Sequence, residues 1–371
     1  MAHPALTQPL TLKGVRLRAV SVPMRRPLMT RVVVIERATL LLIDVETEQG
    51  FTGSSYLFGY LADGPRYMAP LIQGIARMCA GDPLAPATLF EKARKGLTLM
   101  GHEGLSLIAV SGFDMACWDA LAKAAGLPLA RLLGGAVKPI PAYNSNGLGL
   151  IEIGALGDEA SELLADGGFR AVKLRVGRDT LADDVKAFRK VRAAVGDDVL
   201  LPVDFNQCLD VEEAVRRGHA LDDEGDVYWI EEPVNYDDLD GCARVAAEVA
   251  TPIQIGENFY GPRDVNRALD AQACDYIMPD AGRIGGVTGW LRAAAIAEDV
   301  GMRFSSHLLP EVSAHLLAVT PTAHLLEYVD WANPILAEPL AVENGHAVIP
   351  DKPGTGIAWD EAAVAKYLIE P

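Results

Sequence analysis

Seven polar side chains stand out because each falls where a short apolar run gives way to the next segment. They are Lys173, Asp204, Glu231, Glu257, Asp280, His307 and Glu327. Asp204, Glu231 and Glu257 close three successive runs. Three converging carboxylates repel one another unless a cation neutralises them. An all-oxygen set with no Cys or His among it suits Mg2+, with water and substrate oxygens completing the octahedron, and disfavours zinc. Asn206, two residues past Asp204, points the same way and could hydrogen-bond a ligand or substrate oxygen. Glu232 follows Glu231 directly, and strand alternation aims it away from the centre. Asp280 and His307 suggest a dyad: a carboxylate accepting Nδ1–H fixes the imidazole tautomer and makes Nε2 the better base. Taken singly, each residue has a plainer reading. A carboxylate after a strand caps the following helix, and a lone histidine at a strand end is structural. That all seven occupy the same kind of position argues for a shared site.

These positions matter only if the elements carrying them converge. After Pro139 short apolar runs alternate with amphipathic helical segments. The strands expected are 140–145, 171–176, 199–204, 227–231, 253–257, 276–280, 303–307 and 325–328. Helical segments such as 180–195, 211–222, 287–299 and 311–319 lie between them. Eight strands alternating with helices predict a parallel α/β barrel, and no Gly-rich phosphate loop follows an early strand as in an open doubly wound sheet. At the C-terminal mouth of such a barrel all seven residues meet. Residues 1–135 pattern differently. Apolar runs at 15–22 and 40–45 read as antiparallel strands around a basic, irregular stretch at 24–37, and helical spacing runs from about Pro65 to Lys123. The organisation is therefore an α+β capping domain (1–135), a barrel carrying the site (136–335), and a C-terminal segment returning to the cap (336–371).

Half of the 371 residues are hydrophobic, enough for a large core, and the net charge of -17 works against nucleic acid and anionic membranes as partners. A carboxylate substrate then needs local cations or a metal. No apolar run reaches the roughly 18 residues of a membrane span and no leader pattern opens the chain. The five cysteines are an odd number without a C-x-x-C pair. They read as reduced thiols of a cytoplasmic protein.

Longer motifs surround the seven residues: W-D-A-L-A-K (118–123), G-F-R-A-V-K (168–173), V-D-F-N-Q (203–207), W-I-E-E-P (229–233), G-E-N (256–258), M-P-D-A-x-x-I-G-G-V-T-G-W (278–290), S-S-H-L (305–308) and S-A-H-L-L-A-V-T-P-T-A-H-L-L-E (313–327). Through them the chain resembles the mandelate racemase subgroup of the enolase superfamily over nearly its whole length. The resemblance implies a cap on a modified (β/α)7β barrel and Mg2+ at Asp204, Glu231 and Glu257. It implies that a small-molecule carboxylate bridges the metal and Lys173, with Ser145 touching the same carboxylate. It assigns Glu327 a hydrogen bond to the developing enediolate, and the Asp280–His307 dyad the acid/base work on the R side of the α-carbon. It also implies a symmetric homo-oligomer, an octamer in many members.

One position departs from that pattern. The family's racemase carries Lys-x-Lys, its second lysine being the base on the S side, whereas this chain has Lys173-Leu174-Arg175. Arginine stays protonated at neutral pH. Arg175 can serve as a fixed cation, and two-face racemisation is expected to be impaired. The pocket that the resemblance implies points to an apolar or aryl 2-hydroxy acid. Counted along the cap, Leu28, Val32 and Ile35 fall at the positions lining it. Leu308 beside His307 is also apolar and Tyr56 lies in a matching S-Y-L-F stretch (55–58), with Arg25, Arg26 and Arg31 near enough to meet a polar substrate instead. Two catalytic readings stay open, a racemase-like enzyme on such an acid and an acid-sugar dehydratase with His307 as sole base. A non-catalytic metal-binding homologue is the remote third.

Overall fold

The computed structural model describes residues 9–370; the first eight residues assigned to the cap and the final Pro371 of the tail lie outside them. In the cap, β1 (Leu12–Met29), β2 (Val34–Thr47) and β3 (Thr52–Phe58) form an antiparallel sheet. Helices α1 (Gly64–Cys79) and α3 (Leu105–Ala125) pack on it, and α2 (Pro86–Gly96) packs against those two helices. By length and composition α3 could cross a membrane, but 83% of its most apolar window is buried inside this fold. Glycines allow its close approach to the sheet. A Cβ on Gly53 would stand 2.0 Å from the Ala116 carbonyl oxygen, and one on Gly112 would stand 2.5 Å from Ile43 Cδ1.

The basic stretch expected to be irregular is largely strand. Beyond a register shift between Pro23 and Leu28, Leu28 stands opposite Ile35 and Met29 opposite Val34. Apolar cross-strand pairs hold the hairpin where the composition suggested none. Its arginines do not reach toward a substrate. Arg25 bonds Asp166, Arg26 bonds Glu162 and Arg31 bonds Asp179, all on the barrel.

After the short α4 (Leu129–Leu132) the barrel alternates strand and helix. It runs β4 (Ile140–Asn144), α5 (Leu156–Ala165), β5 (Leu174–Arg175), α6 (Leu181–Val195), β6 (Leu201–Asp204), α7 (Val211–Glu224), β7 (Val227–Glu231) and α8 (Leu239–Glu248). It continues through β8 (Ile253–Ile255), α9 (Pro262–Asp270), β9 (Tyr276–Ile277), α10 (Gly286–Asp299), β10 (Arg303–Phe304), α11 (Pro310–Ala318) and β11 (Leu326–Tyr328). Strands β5 to β10 pair in parallel in chain order, and β11 pairs with β4. Single parallel bridges, Asn144 to Val172 and Phe304 to Ala323, close the ring. The result is a (β/α)7β barrel beneath the cap. Side-chain caps from Thr180, Asp210 and Asp238 start α6, α7 and α8.

Several strands end earlier than the apolar spacing indicates. β8 stops at Ile255, β9 at Ile277 and β10 at Phe304, so Glu257, Asp280 and His307 sit two or three residues beyond the regular ladder. The backbone splays at the mouth while its side chains stay buried, and burial rather than pairing carries the hydrophobic pattern.

The tail first adds β12 (Ala341–Glu343) and β13 (His346–Val348), the latter antiparallel to β4. It then crosses to the cap through α12 (Glu361–Tyr367) and β14 (Leu368–Ile369), which pairs with β1. One buried histidine stitches these parts together. His315 Nδ1 accepts from the Ala130 backbone N–H at 3.1 Å, and Nε2 lies 3.2 Å from the Thr355 carbonyl oxygen. Nδ1 cannot take a proton without losing the first bond, and burial pushes the imidazole down to about 4. The unfolded chain protonates near pH 6.5. This contribution to stability is therefore complete above about pH 6.5 and is lost as pH falls toward 4, at up to about 1.4 kcal/mol per unit. Urea midpoints measured from pH 7.5 to 5 should fall less steeply in His315→Gln, whose amide can keep both bonds without titrating; parallel curves would refute the assignment.

Candidate active site

The acidic side of the mouth is set by strand register. Asp204 stands beside Arg175 on one neighbouring strand and beside Glu231 on the other. Lys173, one residue before β5, places its ammonium 2.5 Å from Glu231 Oε1, 3.1 Å from Asp204 Oδ2 and 3.0 Å from Glu327 Oε1. Its side chain is 2% exposed. Burial alone would strip its charge, but Asp204, Glu231 and Glu327 outweigh that and push its pKa up. Burial pushes the Glu231 carboxyl up to about 8 even with the ammonium beside it. Trp229 Nε1 donates to the other Glu231 oxygen at 3.0 Å.

The basic side is the dyad. A parallel bridge joins Asp280 and His307 across the splayed strand ends. His307 Nδ1 lies 2.9 Å from Asp280 Oδ2, and Asp280 Oδ1 accepts from the Gly282 N–H at 2.6 Å. Nε2 is thereby turned inward, 3.3 Å from Glu257 and 3.9 Å from Glu327. Burial lowers the imidazole pKa, but Glu257, Glu327 and Asp280 together carry it up to about 10. Glu327 accepts the Leu308 N–H at 2.8 Å. Burial raises its pKa, and Lys173 and His307 overcome this to hold it at about 2. In this arrangement Glu327 is a carboxylate; for it to donate a proton, both cations must be drawn off it.

Between the two sides lies a cavity of ≈ 190 Å³. Leu28, Val32, Val33, Ile35, Phe58, Leu308 and Trp331 make one wall, and the polar residues make the other. Leu28, Val32, Ile35 and Leu308, the expected pocket residues, are thus brought together here. Tyr56 is not. It shares a face of β3 with Phe58 but lies two residues deeper, where its phenol donates to Glu311 Oε2 at 2.6 Å, away from the cavity. Ser145 is buried and hydrogen-bonds Glu327. The Arg175 guanidinium is pinned by the Ser145 carbonyl at 3.1 Å, the Gly147 carbonyl at 2.8 Å and Ser145 Oγ at 3.3 Å.

Glu232, Tyr60 and Arg283 are among the lining residues that the sequence pattern did not place in the site. Alternation aimed Glu232 outward, but its φ of 40° breaks the alternation and swings it into the site. There it accepts from Gln207 Nε2 at 2.8 Å and Asn258 Nδ2 at 3.0 Å. Burial, with Glu257 and Asp204 close by, pushes its carboxyl well up. Tyr60 also has a left-handed φ, 57°. Arg283 occupies an unspecified position of the 278–290 motif.

Among the described residues no three metal-ligating side chains draw together to enclose an ion; the Lys173 ammonium stands among the carboxylates instead. The donor set nevertheless fits a hard divalent cation. It is all oxygen, burial and neighbouring carboxylates push Glu231 and Glu232 up in pKa, and Asn206 offers a buried Oδ1 with no hydrogen-bond partner. Asp204 already orients that amide, accepting from Asn206 Nδ2 at 3.0 Å.

Comparison with known proteins places this arrangement. Residues 13–134 match the family model for the mandelate racemase / muconate lactonizing enzyme N-terminal domain, and residues 155–363 match the enolase C-terminal domain-like model. A solved enolase from Bradyrhizobium, complexed with magnesium and mandelic acid, is 45% identical with a TM-score of 0.94, covering 98% of this chain and 100% of that one. An enolase from the alphaproteobacterium bal199 with bound magnesium is 49% identical with a TM-score of 0.95, covering 97% of this chain and 100% of that one. The L-talarate/galactarate dehydratase of Salmonella typhimurium is 31% identical over 89% of this chain and 82% of its own.

Replacing the central ammonium tests the electrostatic account. Lys173→Met leaves Asp204 and Glu231 buried without their cation and should cost about 3–5 kcal/mol, read as a lower urea midpoint in EDTA-treated protein. A loss below about 1 kcal/mol would mean that water, not Lys173, carries that role.

Proposed function

Because the chain belongs to the mandelate racemase / muconate lactonizing enzyme family of the enolase superfamily, we propose that it abstracts the α-proton of a 2-hydroxycarboxylate bearing an apolar or aryl group. The observation that carries this reading is the cavity lining: seven apolar side chains share a space of ≈ 190 Å³ with Lys173, Asp204, Glu257 and His307. Such a wall desolvates a ring or alkyl group and serves a chain of hydroxyls poorly. The mandelic acid bound by the Bradyrhizobium relative supports it.

Asp204, Glu231 and Glu257 would hold Mg2+, which supplies positive charge to the enediolate that proton loss creates. Lys173 binds the substrate carboxylate, exchanging carboxylate partners of the protein for one of the substrate. That exchange takes one cation from Glu327. His307 is a base only as the neutral imidazole, which a cation held at Glu257, the first of the charges that raise it, would favour. With that second cation also gone, Glu327 can hold a proton and share it with the enediolate oxygen. His307 Nε2 takes the α-proton from the face it looks onto, and Asp280 stabilises the imidazolium through Nδ1. Asn206 orients a substrate or metal-ligand oxygen. Arg175 supplies fixed positive charge next to Ser145 on the opposite side, and its three hydrogen bonds to carbonyls and hydroxyl leave it no way to act as a base.

That last point favours a second reading, acid-sugar dehydration, in which one base suffices and a 3-hydroxyl leaves to give a 2-keto-3-deoxy acid. The dehydratase relative is in keeping with it. The cavity wall argues for the first.

Incubation with Mg2+ and mandelate enantiomers in heavy water separates these readings. The R enantiomer should exchange its α-proton with little inversion, and His307→Asn should slow that exchange by roughly a hundredfold or more. Removing Mg2+ with EDTA should stop it and added Mg2+ should restore it. Exchange that survives in His307→Asn would move the base elsewhere, and a 2-keto product from an aldarate or aldonate would favour dehydration.

A further inference from the structure

The wall beside the dyad holds a pair of residues that no step above uses. Tyr60 follows β3 on the cap, and Arg283 follows β9 on the barrel. The Arg283 guanidinium lies 4.4 Å from the centre of the Tyr60 ring, and its Nε is 3.0 Å from the Tyr60 hydroxyl. An arginine Nε can only donate, so Tyr60 accepts there and its own hydrogen is free. The acceptor in reach is Asp280 Oδ2, 3.4 Å away, the oxygen that already takes the His307 Nδ1–H. Burial holds the phenol protonated, so its O–H is present to donate there. On its far side Arg283 Nη1 bonds Asn258 Oδ1. The orientation of that amide is fixed in turn, because Asn258 Nδ2 donates to Glu232. One hydrogen-bonded chain therefore runs Glu232, Asn258, Arg283, Tyr60, Asp280, His307.

Tyr60 holds this place in a left-handed backbone conformation that side-chain-bearing residues adopt rarely. Its ring is wedged edge-on against Phe58 at 4.8 Å. Strained positions persist where surrounding contacts fix them, and they concentrate at functional sites. The phenol stands between a guanidinium and a carboxylate of opposite charge.

We propose that Tyr60 and Arg283 are positioning residues for the Asp280–His307 dyad, the Tyr60 phenol holding Asp280 Oδ2 for His307 and keeping Arg283 from capturing it. Because Tyr60 belongs to the cap, the base is correctly aimed only while the cap is seated on the barrel. The inference rests on the dyad being the proton acceptor proposed above, and its test has one arm that needs no substrate.

The experiment uses the full-length Mg2+-loaded protein with isotope-labelled histidine. The Nδ1–H resonance of His307 is identified by its disappearance in His307→Asn. In Tyr60→Phe that resonance should shift or broaden. In the heavy-water exchange assay the same variant should lose roughly tenfold in kcat with KM held within about twofold, the signature of a displaced base rather than a damaged pocket. Adding Arg283→Met should restore most of that loss, because the competing cation is gone. A His307 resonance unmoved in Tyr60→Phe overturns the proposal, and so does a double variant whose losses simply add. If no 2-hydroxy acid exchanges with the wild-type enzyme, the functional reading fails while the resonance still decides the positioning role.

Discussion

Everything at the mouth of the barrel depends on one buried cation. Lys173 is almost fully enclosed and meets three carboxylates on three different strands or strand ends. Burying so much like charge is tolerable only with compensation on the spot. The ammonium supplies part of it, and the remaining surplus is what makes a divalent ion welcome. The same surplus lifts His307 and Glu232. His307 and the carboxylates around Lys173 are thus one electrostatic system rather than two neighbours.

Much of this was legible in the sequence, for physical reasons. Parallel strands buried on both faces leave continuous apolar runs, and a polar residue that ends such a run is placed at the mouth by the barrel's geometry. Asp204 and Glu231 follow this rule. Glu257, Asp280 and His307 lie beyond the ladder proper, yet their loops stay buried and the run continues to them. Burial shows in composition; pairing does not.

The parts that escaped obey no period. Glu232 was read outward because strand alternation was extended one residue too far, into a left-handed turn that nothing in W-I-E-E-P announces. Tyr60 and Arg283 come from different domains, and their meeting is a fact of tertiary docking. Tyr56 was misplaced for the opposite reason: its face was right, but depth along a strand is set by the partner domain, and Glu311 waits for it there. The basic stretch at 24–37 looked irregular because its arginines dominate its composition, whereas its few apolar residues decide the pairing.

Those arginines have a consequence for how the hairpin is held. The hairpin that carries Leu28, Val32 and Ile35 is tied to the barrel by ion pairs, and the Arg25–Asp166 and Arg31–Asp179 pairs are more than half exposed on both sides. Exposed pairs weaken as dissolved salt screens them within about 8 Å at physiological concentration. The apolar contacts of Leu28, Val32 and Ile35 do not weaken in this way. The hairpin's attachment to the barrel and the apolar lining it contributes thus answer to different properties of the solvent: ionic strength can loosen the first while leaving the second almost untouched.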